Sequence, residues 1–157
     1  MLKPDAQFKR ITDISIEFLQ KHNIEGLILD LDNTLIDYDG NLLDGVKEWI
    51  KKVKDAQIKI AIATNSINTE KVEGYAKTLG LVFVHKSFKP IKRGVKKAAK
   101  KLNLPPNRIA EIGDQLFTDV WVAKRMNMFS ILTEPISTDR FKIDIIKRRL
   151  EKWVLSR

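Results

Sequence analysis

Cysteine is absent from the 157 residues, which excludes disulfides, thiolate nucleophiles and sulfur-based zinc sites outright. A reducing compartment suits such a chain, and a cytoplasmic location is the simplest expectation. Only His22 and His85 supply imidazole, and two histidines so placed do not make a metal site. Glycine (7) and proline (5) are too sparse for a fibrous or low-complexity chain. Long hydrophobic runs are also missing. Pieces such as GLILDL and LGLVFVH fall far short of the roughly 20 residues that cross a bilayer, and MLKPDAQFKR holds no signal-peptide core. Acidic residues are outnumbered, 20 against 29 basic, for a formal charge of +9. From Lys86 to Lys101 there are eight basic residues and no acidic one. This balance favours a polyanionic partner: nucleic acid, an anionic lipid surface or a phosphorylated substrate.

What is present is a regular alternation. The length and the 43% apolar content predict one folded domain over residues 1–157. Ile14, Ile16, Phe18 and Leu19 predict a helix from Ile11 to about His22, capped by Thr12 or Asp13. After Gly26, LILDL is aliphatic and ends in acids, as a buried strand should. Asp44 to Ala56 predicts a helix with Val46, Trp49, Ile50 and Val53 on one side. IKIAIA at 58–63 is the next strand and stops at Thr64-Asn65. A helix at 69–79 ended by Gly80, a strand at 81–84 and a helix at 91–102 closed by Pro105-Pro106 follow. A strand at 108–112, a short helix at 119–126 and a strand at 128–132 complete the pattern. Strands separated by helices predict an α/β fold with a mainly parallel, five-stranded sheet covered on both faces.

The polar ends of these strands carry Asp30 and Asp32, then Thr64 and Asn65, then Lys86 to Lys89, then Asp114. In an open α/β sheet the crevice at the carboxyl ends of the strands is where ligands bind, so four separate segments converge. A turn after the first strand can bring both Asp30 and Asp32 toward that crevice. With Asp114 they offer an all-oxygen site, which suits a hard cation such as Mg²⁺ and fits zinc poorly. Carboxylates so close repel one another unless a cation or Lys89 offsets them. One ionised carboxylate can attack a phosphoryl group and form an aspartyl phosphate, while the other gives and takes the proton. Thr64, Asn65 and Lys89 can hold the equatorial oxygens.

These residues carry a resemblance. DLDNTL at 30–35 resembles the first motif of the haloacid dehalogenase superfamily of phosphatases, Thr64-Asn65 the second, Lys89-Pro90 the third and GDQLFTD at 113–119 the fourth. The resemblance implies a Rossmann-like fold and a phosphate-monoester hydrolase with Mg²⁺ as cofactor. It implies that Asp30 is the nucleophile, and that Asp32 is the general acid and base and also gives its backbone carbonyl to the metal. By the same resemblance Thr64 binds the phosphoryl group, Lys89 steadies Asp30 and the transferring phosphate, Asp114 is the direct acidic metal ligand and Asp119 supports the metal shell. Gly40 falls in the turn and flap after the first strand. Relatives insert a cap between the first and second or the second and third motifs. Here 28 residues separate Leu35 from Thr64, and 23 separate Asn65 from Lys89, each stretch used up by one helix and one strand. No cap domain is expected, and such an open site suits large or surface-displayed phosphates.

Within the capless group (subclass III) the chain resembles the YqeG-like phosphatases and, through them, the mitochondrial phosphatidylglycerophosphate phosphatases. That implies an anionic phospholipid as one candidate substrate, with peripheral attachment at the inner face of the membrane. Two alternatives follow from the charge. One is a phosphatase acting on polynucleotide ends or another macromolecule. The other is a non-enzymatic nucleic-acid-binding module, for which no reading motif or aromatic platform is evident.

Several features have two readings. In KSFKPIKRGVKKAAKK, Ile91, Val95, Ala98 and Leu102 recur at helical spacing, so the lysines other than Lys89 form a solvated face or attract an anionic surface. The tail predicts an amphipathic helix over about 139–154. Ile143, Ile146, Leu150 and Trp153 or Val154 form one flank, and Phe141 with Ile145 a second strip. Packing of this flank on the sheet is the expected use, and contact with a membrane surface is the other. Trp49 and Trp121 fit core positions on helices, whereas Tyr38 and Phe88 fit the mouth of the crevice. Asp119 can also serve simply as a helix N-cap.

Overall fold

The computed structural model describes residues 2–137 and 142–157. Six strands, β1 (Ala6–Phe8), β2 (Gly26–Leu29), β3 (Lys59–Ala63), β4 (Val82–Val84), β5 (Ile109–Gly113) and β6 (Phe129–Thr133), form one sheet in the order β1-β6-β5-β2-β3-β4. Every adjacent pair is parallel. The expected sheet is therefore correct in kind but one strand short. The strand that was missed, β1, is only three residues long with a glutamine at its centre, too brief to carry a period-two signal. It is held at the edge by Asp5, whose carboxylate accepts from the backbone N and the hydroxyl of Ser130, both at 2.8 Å.

Helices α1 (Ile16–Lys21), α2 (Val46–Asp55), α3 (Thr69–Leu79), α4 (Lys92–Leu102), α5 (Trp121–Arg125) and α6 (Lys142–Leu155) fill the connections and the tail. The alternation of strand side chains divides the core in two. Leu27 and Leu29 face a layer with Trp49, Ile50, Val53, Val72 and Ala76, whereas Ile28 faces Val95, Ala98, Leu102, Val122 and Ala123. The helix expected from Ile11 splits into a 3₁₀ turn at Ile11–Asp13 followed by α1, and the cap of α1 is Ser15, whose hydroxyl accepts from Phe18 N at 3.1 Å. Trp49 is buried and donates its indole N–H to Ile14 O at 2.8 Å. Trp121 departs from expectation: it is 45% exposed, because α5 buries Val122 and Ala123 instead. Ile91 also lies outside the core, at the start of α4, while the α4 lysines face solvent as a charged outer surface.

The tail helix holds the largest departure. Its apolar flank does not pack on the sheet: Ile146, Leu150 and Trp153 are 58%, 52% and 56% exposed. Glu151 is buried instead, and Arg148 keeps only 15% of its side chain exposed. The expected start of this helix near 139 and the strip begun by Phe141 lie outside the described residues, as does the side chain of Ile143. The segments expected to leave no room for a cap hold only α2 with β3 and α3 with β4, plus a small hairpin bridging Ile36 to Leu42. Gly40 sits in that hairpin at φ +84° and gives its carbonyl to Tyr75 Oη.

Candidate active site

The crevice is built by backbone geometry first. After β2, Asp30 N still donates to Ile112 O at 2.9 Å, and the chain then turns sharply. Leu31 O accepts from both Leu35 N (2.9 Å) and Ile36 N (3.2 Å), and Asn33 takes φ +59°. This turn is what sets Asp32 as well as Asp30 at the strand end. Lys86 and Phe88, in the loop after β4, also have positive φ, at +49° and +52°. Non-glycine residues in that region are uncommon and cluster at functional sites.

Lys89 is the hub. It is 4% exposed, and its Nζ lies 2.7 Å from Asp119, 3.2 Å from Glu111 and 3.3 Å from Asp30. Its backbone is clamped by Asn65, which accepts from Lys89 N at 2.6 Å and donates to Lys89 O at 3.0 Å. Asn65 thus spends its side chain on placing Lys89. Thr64 is buried at the end of β3, and its hydroxyl accepts from Ser66 N at 3.1 Å. Asp119 lies in a π-helical turn, Leu116–Val120, and its carboxylate reaches back to accept from Gln115 N at 3.0 Å. It therefore holds the loop rather than capping a helix. Gly113 makes this possible, since a Cβ there would overlap the Asp119 carboxylate.

Oxygens of Asp30, Asp114 and Asp119 lie within 4.8 Å of one another, and all three residues are buried. Burial drives the Asp30 carboxyl well above its ordinary value; Lys89 opposes this, and Asp119, Asp114 and Asp32 add to it. Burial also pushes Asp114 up to about 7, with Asp119 adding and Arg148 opposing. For Lys89, burial alone would lower the ammonium, but Asp119, Asp30 and Glu111 outweigh it and hold it well above its usual range. Asp32 stands apart: its side chain is 45% exposed and pairs with Lys71 of α3 at 2.6 Å. The two acids after β2 thus occupy different environments, one dry and one wet.

Three contributors escaped the sequence reading. Glu111 is buried in β5, burial pushes it up to about 8 against the pull of Lys89, and its Oε2 has no hydrogen-bond partner. Its signal was visible: it is the one charge inside the strand IAEIG. Arg148 pairs with Asp114 and donates to the Asp114 backbone carbonyl. Glu151 accepts from Leu116 N at 2.9 Å. Nothing in a basic tail distinguished these last two. Together with Asp32, Asn33, Tyr38 and Lys147 they line a cavity of about 120 Å³ at the mouth. Tyr38 is therefore at the mouth as expected, whereas Phe88, 55% exposed, borders a separate depression with Lys86, Arg93 and Lys97.

Four carboxylates, Asp30, Glu111, Asp114 and Asp119, thus face two cationic side chains, Lys89 and Arg148. The donors are all oxygen and the acidic groups outnumber the cationic ones, which fits a hard divalent cation.

Comparison with known proteins agrees with this geometry. Residues 1–137 match the family model described as mitochondrial PGP phosphatase. The Bacillus subtilis (strain 168) Probable phosphatase YqeG is 34% identical over 154 residues, covering 98% of this chain and 89% of that protein. Among solved structures, the cobalt-bound deoxy-D-mannose-octulosonate 8-phosphate phosphatase of Haemophilus influenzae superposes with a TM-score of 0.55 at 18% identity, covering 73% of this chain and 80% of the other. The 3-deoxy-D-manno-octulosonate 8-phosphate phosphatase of Yersinia pestis gives 0.53 at 19% identity, covering 78% and 79%. These two show the shared fold. With its family model matched over residues 1–137, the chain belongs to the mitochondrial PGP phosphatase family, and its parallel sheet with an uncapped crevice is a haloacid dehalogenase-like fold.

Proposed function

We propose that the protein is a Mg²⁺-dependent phosphate-monoester hydrolase that works through an aspartyl phosphate on Asp30. The observation that carries this reading is the convergence of Asp30, Asp114 and Asp119 on Lys89 at the carboxyl ends of the sheet. Asp30, the backbone carbonyl of Asp32 and Asp114 would hold the cation, with Asp119 in support. Bound there, Mg²⁺ supplies positive charge against the phosphoryl oxygens and the neighbouring carboxylates.

Asp30 attacks phosphorus, the bond to the ester oxygen breaks, and Asp32 protonates the departing alcohol. Asp32 then takes a proton from water, whose oxygen attacks phosphorus and releases inorganic phosphate with Asp30 restored. Lys89, 3.3 Å from Asp30, opposes the burial that raises the Asp30 carboxyl, and a bound cation would favour the ionised nucleophile further. The exposed position of Asp32, paired with Lys71, gives it the access to water that proton exchange requires. Thr64 binds a phosphoryl oxygen as charge redistributes, and Asn65 keeps Lys89 in line.

For the substrate, we propose phosphatidylglycerophosphate or a closely similar anionic phospholipid. The family description supports it, and so does the outward strip Ile146, Leu150 and Trp153. That strip lies on α6, whose residues 142–155 include five basic side chains and two acidic, the composition of a helix that lies on an anionic membrane surface. Asp30→Asn and Asp32→Asn should each abolish Mg²⁺-dependent hydrolysis of an aryl phosphate, and activity retained in either variant refutes the assigned roles. Turnover of phosphatidylglycerophosphate in mixed micelles should exceed that of sugar phosphates, nucleotides and phosphopeptides. Equal turnover of the soluble esters with none of the lipid overturns the substrate, and preference for a 5′- or 3′-phosphorylated oligonucleotide would favour a polynucleotide phosphatase.

A further inference from the structure

The tail helix contributes to the site in a way that its sequence pattern does not suggest. Helix α6 turns its polar flank inward. Arg148 makes two contacts with one residue: one guanidinium nitrogen donates to Asp114 Oδ2 and the other to the Asp114 backbone carbonyl. The same side chain lies 3.3 Å from Glu151, which in turn accepts from Leu116 N at 2.9 Å and Phe117 N at 3.4 Å. Asp114 follows β5 directly, and Leu116 and Phe117 open the π-helical turn just after it. Beside these contacts the helix leaves a cavity of about 550 Å³, lined by Asp114, Thr133, Ile136, Arg148, Lys152 and Leu155. The docking of α6 here is therefore polar, centred on Asp114, rather than a close apolar fit.

We propose that Arg148 is a positioning residue for the divalent cation. It fixes the backbone and one carboxylate oxygen of Asp114, leaving Oδ1, which faces Thr34 Oγ1 at 3.5 Å, to bind the metal. The proposal rests on the reading of Asp114 as a metal ligand. Physically, a carboxylate that is only 2% exposed needs a partner for the oxygen that the cation does not use, or it will rotate or take up a proton. A guanidinium that grips both the carboxylate and the carbonyl of one residue restrains rotation as well as charge. Lysine, with a single ammonium, supplies the charge without that planar fork. Glu151 orients the guanidinium and ties α6 to the loop, so the last helix completes the site from outside the four sequence motifs.

The test is calorimetric titration of MgCl₂, and of MnCl₂ as a tighter-binding probe, into the full-length protein and its Arg148→Gln, Arg148→Lys and Asp114→Asn variants. Loss of an orienting partner of a metal ligand typically weakens binding by roughly 10–100-fold. Arg148→Gln should therefore raise the cation Kd by about tenfold or more, and Arg148→Lys should recover part of it. The rise in melting temperature on adding cation should shrink in the same order. Unchanged Kd in Arg148→Gln overturns the proposal, and tighter binding overturns it by showing that the guanidinium competes with the cation. Should Arg148→Gln fail to fold, Arg148→Lys decides alone: wild-type affinity refutes the two-pronged role, and weakened affinity with an intact fold supports it. Asp114→Asn separates the two readings. If it binds cation as wild type does, the metal assignment itself fails. If it loses binding while Arg148→Gln keeps it, only the role of Arg148 fails.

Discussion

Lys89 is the residue on which the crevice depends most. It is one buried ammonium among Asp30, Glu111 and Asp119. Breaking a buried ion pair by removing one partner costs about 3–5 kcal/mol, because the other charge is left uncompensated. Lys89→Met should destabilise the metal-free protein by an amount of that order in urea denaturation, and added Mg²⁺ should restore part of it. A change below about 1 kcal/mol would mean that the three acids share protons instead of relying on the lysine. Much of this was legible. Asp30, Asp32, Thr64 and Asp114 sit where aliphatic strands end and Lys89 lies in the loop after β4, and those positions together with the residue types marked them. Glu111 was legible in principle, as a lone acid inside a buried strand, but a strand interior is not where strand-end reasoning looks. Arg148 was not legible, because its importance comes from reaching Asp114 across 34 residues of chain.

At the scale of elements, pattern found the strands and helices of the sheet core, since the helices bury one periodic face and β2, β3 and β5 are aliphatic runs buried on both faces. It failed at the two ends of the chain for opposite reasons. Strand β1 has three residues and no period to read. Helix α6 has a clear period, but its apolar flank points to solvent while Arg148 and Glu151 turn inward. Pattern identifies a flank and says nothing about which partner covers it. The exposed flank has a direct consequence. Ile146→Gln and Leu150→Gln should each change stability by no more than about 0.5 kcal/mol, as surface substitutions do, whereas Val95→Ala in the buried face of α4 should cost more. The double variant should also bind vesicles of phosphatidylglycerol and phosphatidylcholine less well than wild type in a sedimentation assay. Strong destabilisation by the glutamines would show that the flank is packed in solution after all.

For the whole molecule, the buried acids tie folding to pH and to the cation. Unfolded carboxylates ionise near pH 4, but in the folded chain burial holds Asp114 to about 7 and Glu111 to about 8, and drives Asp30 upward as well. Between those limits the folded state binds more protons than the unfolded state, so stability falls as pH rises. Lys89 does not offset this trend, because its folded value is raised further above a window that already lies below its ordinary one. The metal-free protein should therefore show a melting temperature that declines from pH 5 to pH 8.5, and Glu111→Gln should flatten the decline. On the proposed function Mg²⁺ would bind the ionised carboxylates, so it should stabilise strongly at pH 8.5 and weakly at pH 5, which reverses the slope. Thermal unfolding at both pH values, with chelator and with Mg²⁺, checks all of this in one series. A metal-free melting temperature that rises across the window would show that the acids are already ionised in the fold. The positive charge of Lys89 and Arg148 would then suffice for them without a cation.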